Sequence, residues 1–511
     1  MSLPVERADP GALKISVRES SRCALGVALA LSLFPAAAFA AADTRLADAV
    51  EKSDRAAILL LLDRKTDVNA AQVDGMTALL WAAYQDNLDV AKRLVAAGAD
   101  VTAGNRYGVT ALSLACTNGD AAMVELLLGA GADANKPLRG GELPLLTAAR
   151  TGRTAAVKVL LDHGAKVDAT DDKGQTALMW AADDGNLDVV KQLIAAGANF
   201  RAHLDSGFSP FFFAIREGRI PVVQALLKAG IDVNEPMQSK RTGARGIKAN
   251  MTPMHLAVEN AHFELATMML EAGADPNDQR SGMAPLHLLA SVRKSSTGDD
   301  PASNPVAGSG NISSLQFVRQ LVAHGADVNA PLQGGAGGPG HLSRKGSTPF
   351  LLAAQTADVP YMKLLVELGA DPLRTNVDHS TPLMAAAGVG TRAPGEEAAT
   401  EDEALAAVQL AIDLGGDINA VDDNGETAMH GAAYANFPRM VHFLASKGAK
   451  ISIWNTKDKL GWTPQLVAEG HRPGNFKPSY DTLDAIKEEE IKNGVTPPPF
   501  TPEILVKGYG N

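Results

Sequence analysis

Residues 75–103 read GMTALLWAAYQDNLDVAKRLVAAGADVTA. Thr77 stands where a side-chain oxygen caps the first turn of a short helix. Leu79, Ala82 and Ala83 then share one face at helical spacing, and the alanines allow a second helix to come close. Asn87 and Leu88 turn the chain. Val90, Leu94 and Val95 make the apolar stripe of a second helix. Gly98 ends it as a residue able to take positive φ just past the last turn. The polar stretch from Gly98 to the next such unit reads as an extended hairpin. Neither helix can bury its stripe alone, so the unit requires neighbours of its own kind.

The neighbours are present. Glycines in the same context recur at Gly98, Gly131, Gly164, Gly197, Gly230, Gly273, Gly325, Gly369, Gly415 and Gly448. Five of the nine spacings are 33 residues, and the other four are longer by 10 to 19. Those excesses are whole insertions into a fixed period. A second anchor keeps step: Gly-x-Thr-Ala-Leu at 75–79, 108–112 and 174–178, with looser copies at 209–210, 252–253, 284–285, 348–349, 381–382, 427–428 and 463–464.

The residues 252–257 (TPMHLA), 284–288 (APLHL) and 325–329 (GADVN) resemble the ankyrin repeat, whose signature is TPLHxA, a leucine-rich helix and GAD-x-N. The resemblance runs over about residues 43–475. It implies an all-α solenoid of about 11–12 helix-turn-helix units with β-hairpin fingers, occupying 41–478. The first unit, 43–71, lacks the TPLH anchor and reads as a terminal cap. Residues 479–494 read as a C-terminal capping helix. The tail 495–511 holds three consecutive prolines and is either disordered or laid out along the array.

Two insertions, 236–249 and 331–345, lengthen fingers. Two others, 293–312 and 389–403, lengthen the turn between the helices of a unit. The first finger insert carries Lys240, Arg241, Arg245 and Lys248 with no acid, which suits an acidic partner. The insert 389–403 carries five acids against Arg392.

The chain begins with an address. Residues 23–34 form an apolar run of twelve, preceded by Arg18 and Arg22, broken by Pro35 and followed by Ala38 and Ala40 in small-x-small spacing. This reads as an export signal at 1–40, giving a periplasmic or secreted protein without a membrane span. The alternative is an uncleaved signal anchoring it in the inner membrane. Such exported multi-repeat ankyrin proteins look bacterial.

Composition narrows the function. The 511 residues carry a net charge of −11, with 46% hydrophobic and 21% charged residues, as in ordinary folded proteins. A general nucleic-acid binder needs a basic face, so that class is disfavoured. Only Cys23 and Cys116 are present, which leaves no disulfide framework and no cysteine-rich metal site. No HExxH, no nucleophile elbow and no phosphate-binding loop occurs. His255, His287 and His430 sit at the histidine place of the repeat, where the resemblance implies a structural tie between hairpins and not a metal or acid/base role. Cys116 stands where other units carry alanine and reads as buried. No cofactor, metal or catalytic set is expected, and the chain is read as a non-enzyme and a monomer.

Ankyrin arrays serve mainly as recognition surfaces, so the function expected is protein–protein recognition on the concave face of fingers and first helices. The variable places there hold Tyr84, Gln85, Arg106, Tyr107, Arg139, Arg150, Asp172, Lys173, Asp183, Phe208, Arg216, Glu217, Arg280, Lys345 and Tyr434, with Lys240, Arg241 and Arg245 on the finger insert. Tyrosine and arginine are the types that dominate interface energetics. Trp81 and Trp180 occupy one equivalent place and read as inter-repeat packing or as anchors for the partner. The competing reading is an accessory subunit or small-ligand binder of an envelope enzyme, with finger inserts closing over a substrate.

Overall fold

The computed structural model describes residues 43–138, 141–239, 250–294, 308–335, 341–391, 398–471 and 477–500. The leader reading at 1–40, the tail beyond 500, Arg139 and most of inserts 236–249 and 293–312 therefore lie outside the described residues.

Among the described residues twelve helix pairs follow one another, from Arg45–Glu51 with Arg55–Asp63 to Pro464–Ala468 with Tyr480–Lys492, with one further single-turn helix, Ile451–Trp454, before the last pair. The first helix of each unit packs on the first helix of the next, and most second helices form a parallel row. The unit quoted above becomes the helices Ala78–Tyr84 and Leu88–Ala96. Thr77 Oγ1 accepts the Leu80 N–H at 3.3 Å, and Thr176, Thr252, Thr348 and Thr381 cap their helices in the same way. Gly98 takes φ +89° where the second helix stops. Ala82, Ala83, Ala148, Ala149, Ala181 and Ala182 are fully buried between successive first helices. Their small volume sets how closely the units stack.

The fingers are not strands. Among the described residues the only β pairings are the isolated antiparallel bridges Gly104–Thr110 and Thr170–Thr176. Several fingers are tight turns closed on an Asx side chain, as where Asp171 Oδ1 accepts the Lys173 and Gln175 N–H groups at 2.9 and 2.8 Å; Leu138 and Leu204 hold that place in the fingers entering units 4 and 6, which close through backbone bonds alone. The turn uses up the residues that a ladder would need. What joins finger bases is a rung of asparagines. Asn135 donates to the Gly164 carbonyl at 3.0 Å and accepts the Lys166 N–H at 2.8 Å. Asn69, Asn234, Asn277, Asn329 and Asn419 repeat the rung. The D-x-N of the motif is thus an inter-unit bolt.

One boundary differs from the sequence reading. Residues 401–403 belong to the helix Glu401–Asp413, whose cap Thr400 forms a capping box with Glu403. Their acidity is answered inside the fold, by Arg439 on Glu401 and Asp402 and by Lys294 on Glu403. Helix Tyr480–Lys492 is the second helix of the twelfth unit; it packs on Pro438–Ser446 and ends the array by doing so. The cap unit at the other end exposes Leu59 and Leu60 as well as charges. The tail lies along the array as far as Phe500: Gln465 Nε2 donates to the Pro498 carbonyl at 3.1 Å, and Phe500 lies 6.4 Å from the Tyr480 ring.

Candidate partner-binding surface

The face made by fingers and first helices carries its most exposed aromatic groups in units 2 to 6. In unit 2, Trp81 is half-buried and Tyr84 is 60% exposed; their rings meet edge-on at 5.7 Å. Trp81 Nε1 donates to Gln72 Oε1 at 2.7 Å, which fixes the indole plane. At the tip of the next finger, the Arg106 guanidinium lies 4.9 Å over the exposed Tyr107 ring. Arg150, at the end of the unit 4 helix, reaches 5.5 Å over Trp180 of unit 5 and pairs with Glu142 at 3.0 Å. In unit 6, Arg216 covers Phe208 and Phe213 at 5.4 and 5.1 Å. It also pairs with Asp183 at 2.6 Å and Glu217 at 2.8 Å. Burial pushes the Asp183 carboxyl above the ordinary carboxylate range, outweighing the adjacent guanidinium. Burial raises Asp184 in the same way.

Such guanidinium–aromatic contacts hold long cationic side chains in fixed planes, each worth about 0.5–1 kcal/mol at exposed sites. A surface of this kind offers flat π faces with charges already oriented.

The expected residues divide. Tyr84, Arg106, Tyr107, Arg150, Asp183, Arg216 and Glu217 lie together on this stretch. Asp172 and Lys173 are exposed on a finger tip. Gln85 is engaged internally, donating to the Glu51 carbonyl at 2.8 Å and accepting from Ser53 at 3.1 Å. Arg280 is likewise fixed, with Asp278 at 2.6 Å and the Asn234 carbonyl at 2.7 Å. Tyr434 is a correction. It is 1% exposed, and its hydroxyl donates to Asp458 on the finger of the last unit at 3.4 Å. Repeat position alone made it look like Tyr84. Arg139, Lys240, Arg241 and Arg245 lie outside the described residues. Phe213 and Glu142 were not singled out by sequence; the i to i+3 spacing of Arg216 behind Phe213 was the available signal.

The histidines are buried ties. His287 Nε2 meets the Ala330 carbonyl of the next unit at 2.8 Å. His430 lies between Thr427 at 3.0 Å and the Trp462 carbonyl at 3.4 Å, and His255 meets Ser281 at 2.6 Å. Burial lowers His287 and His430 to about 4, so both are neutral at pH 7. Cys116 is wholly buried and its thiol is pushed up to about 12. A cleft of about 260 Å³ lies at the stem of insert 236–249, between Phe200, Arg201, Phe211, Phe212 and Glu235. That is below the roughly 300–1,000 Å³ of small-molecule pockets. Among the described residues no group of three His, Cys, Asp or Glu is placed to hold a metal, and no helix is long and apolar enough to cross a membrane.

Fold and face together define a linear repeat scaffold that presents an extended wall. Models of ankyrin repeats match residues 46–138, 123–203, 145–237 and 185–280, and a second ankyrin model matches 397–445, together more than half of the chain. The chain belongs to the ankyrin-repeat family, whose arrays generally mediate protein–protein interaction. It is similar to an ankyrin repeat and KH domain-containing protein of Caenorhabditis briggsae, 32% identical over 42% of this chain and 8% of that protein. It is also similar to the nuclear factor NF-kappa-B p105 subunit of Gallus gallus, at 33% over 27% of this chain and 15% of the relative. Inversin of Canis lupus familiaris is 28% identical over 35% of this chain and 14% of its own length. The chain therefore spans only a small part of each of these relatives.

Proposed function

We propose that this protein is a non-catalytic scaffold that binds another protein on the finger-and-first-helix wall of units 2 to 6. One observation supports the reading above the rest: Arg106, Arg150 and Arg216 each lie over an aromatic ring on the same wall, with Trp81 and Tyr84 beside them. Burying such rings against a partner gains apolar area while the guanidinium groups keep their hydrogen-bonding edges for its polar groups. The N-terminal run 23–34, with its flanking arginines and small-residue site, supports export as the setting of that binding. The tests are separate. Partner recovery from an envelope fraction falls at least tenfold when Tyr84, Arg106 and Tyr107 are replaced by alanine; unchanged recovery sinks the assignment of the wall. N-terminal sequencing of exported material beginning near Ala41 tests the address.

A further inference from the structure

The wall is not the same along its length. The fourth residue of each first helix faces it, and in units 2 and 5 that place holds the half-buried Trp81 and Trp180. In units 4, 6 to 9 and 12 larger side chains, from Thr147 to Val467, are buried there, and in units 10 and 11 the place is buried although it holds only Ala385 and Gly431. The chain itself lies over Gly431. Helix Pro382–Ala387 is cut short at Gly388, and residues 388–391 turn there, with the Val389 and Thr391 N–H groups bonded to the Met384 and Gly388 carbonyls. A Cβ on Gly431 would stand 2.7 Å from the Val389 nitrogen; one on Gly388 would stand 2.6 Å from the Gly431 carbonyl oxygen. Val389 is 1% exposed. A Cβ on Gly390 would stand 2.7 Å from Cβ of Leu342, a buried residue of the finger entering unit 9. Real Cβ atoms do not approach so closely, so glycine at 388, 390 and 431 is a packing requirement of this crossing. The same insertion that lengthens the turn of unit 10 thus supplies a strap spanning from unit 11 to the unit 9 finger.

We infer that the strap Gly388–Thr391 occupies the wall of units 10 and 11 in cis, so that a protein partner is excluded from those two units. This rests on the reading of the wall as the binding face, but the strap can be tested without any partner.

The experiment uses the full chain with Cys23→Ser and Cys116→Ala and one reporter cysteine, labelled with a maleimide. Ala385→Cys should react at least tenfold more slowly than Trp81→Cys. Replacing residues 389–399 by the Asp-Gly turn of unit 5 should raise the Ala385→Cys rate at least tenfold and leave Trp81→Cys unchanged. Equal rates in the intact chain, or a slow rate that survives removal of the strap, overturn the inference. Should the shortened chain lose its helical signal, Gly431→Trp decides. It places under the strap the side chain that units 2 and 5 carry, and should speed amide exchange in Ala428–Tyr434 at least tenfold, whereas Leu114→Trp in open unit 3 should not do so locally. Unchanged exchange in Gly431→Trp overturns the strap. A partner indifferent to the Tyr84, Arg106 and Tyr107 alanines removes the binding-face reading alone and leaves these labelling results standing.

Discussion

Acid should loosen the array first where a neutral histidine is locked inside it, and unit 8 is the cleanest place to see this. His287 is 1% exposed, and its Nε2–H bonds to the Ala330 carbonyl of the following unit. Burial lowers its pKa from 6.5 to about 4. The folded state therefore holds fewer protons than the unfolded chain between those values. The sign follows: the contribution is whole above pH 6.5 and is lost as the pH falls through about 4. With 1.36 kcal/mol per unit, the full contribution is about 3 kcal/mol, of which about 2 kcal/mol is gone at pH 5. A loss of that size raises local opening about 30-fold. Amide exchange in Pro285–Arg293 measures it, corrected for the chemical exchange rate and referred to Ala177–Asp184, which has no such histidine. His287→Gln removes the titration and keeps a donor that can reach Ala330. The reasoning fails if Pro285–Arg293 opens equally in both proteins on going from pH 7 to 5.

Other outcomes follow from the same contacts. Burial raises the Asp422 and Glu490 carboxyls at the C-terminal end. Their stabilisation is present below the ordinary carboxylate range and is lost as pH rises through the raised values, so exchange in Tyr480–Lys492 should quicken with rising pH in wild type and less in Glu490→Gln. Arg293 grips Asp358 through two bonds of 2.7 and 3.1 Å, with side chains only 15% and 6% exposed; Arg293→Met should cost about 3–5 kcal/mol by stranding that carboxylate, read as early denaturant unfolding of units 8 and 9. Asn277→Ala removes one rung of the finger ladder, two hydrogen bonds of 2.8 Å, and should cost about 1–3 kcal/mol, seen as raised exchange at the bases of the fingers entering units 8 and 9. Ala149→Leu forces volume between fully buried first helices and should cost about 1–3 kcal/mol; an unchanged melting profile would contradict the close stacking of units 4 and 5.

What the sequence determined by itself was everything that repeats. The period of 33 between glycines, the threonine caps and the leucine stripes are local features, fixed by residues within a few positions of one another. They suffice for helix, turn and stacking order because each unit packs chiefly on its neighbours. Tertiary structure decided whatever depends on residues tens of positions apart. Tyr84 and Tyr434 hold the same repeat place, yet one is 60% exposed and the other 1%, because the finger of the last unit brings Asp458 to the second hydroxyl alone. The asparagine of GAD-x-N was legible as a motif, but its rung to the next glycine carbonyl was not. Gly388, Gly390 and Gly431 look like incidental departures from the pattern until the strap that crosses them is in place. Repetition encodes the wall locally; which part of it stays open depends on an insertion folding back, and that is a matter of contact in space.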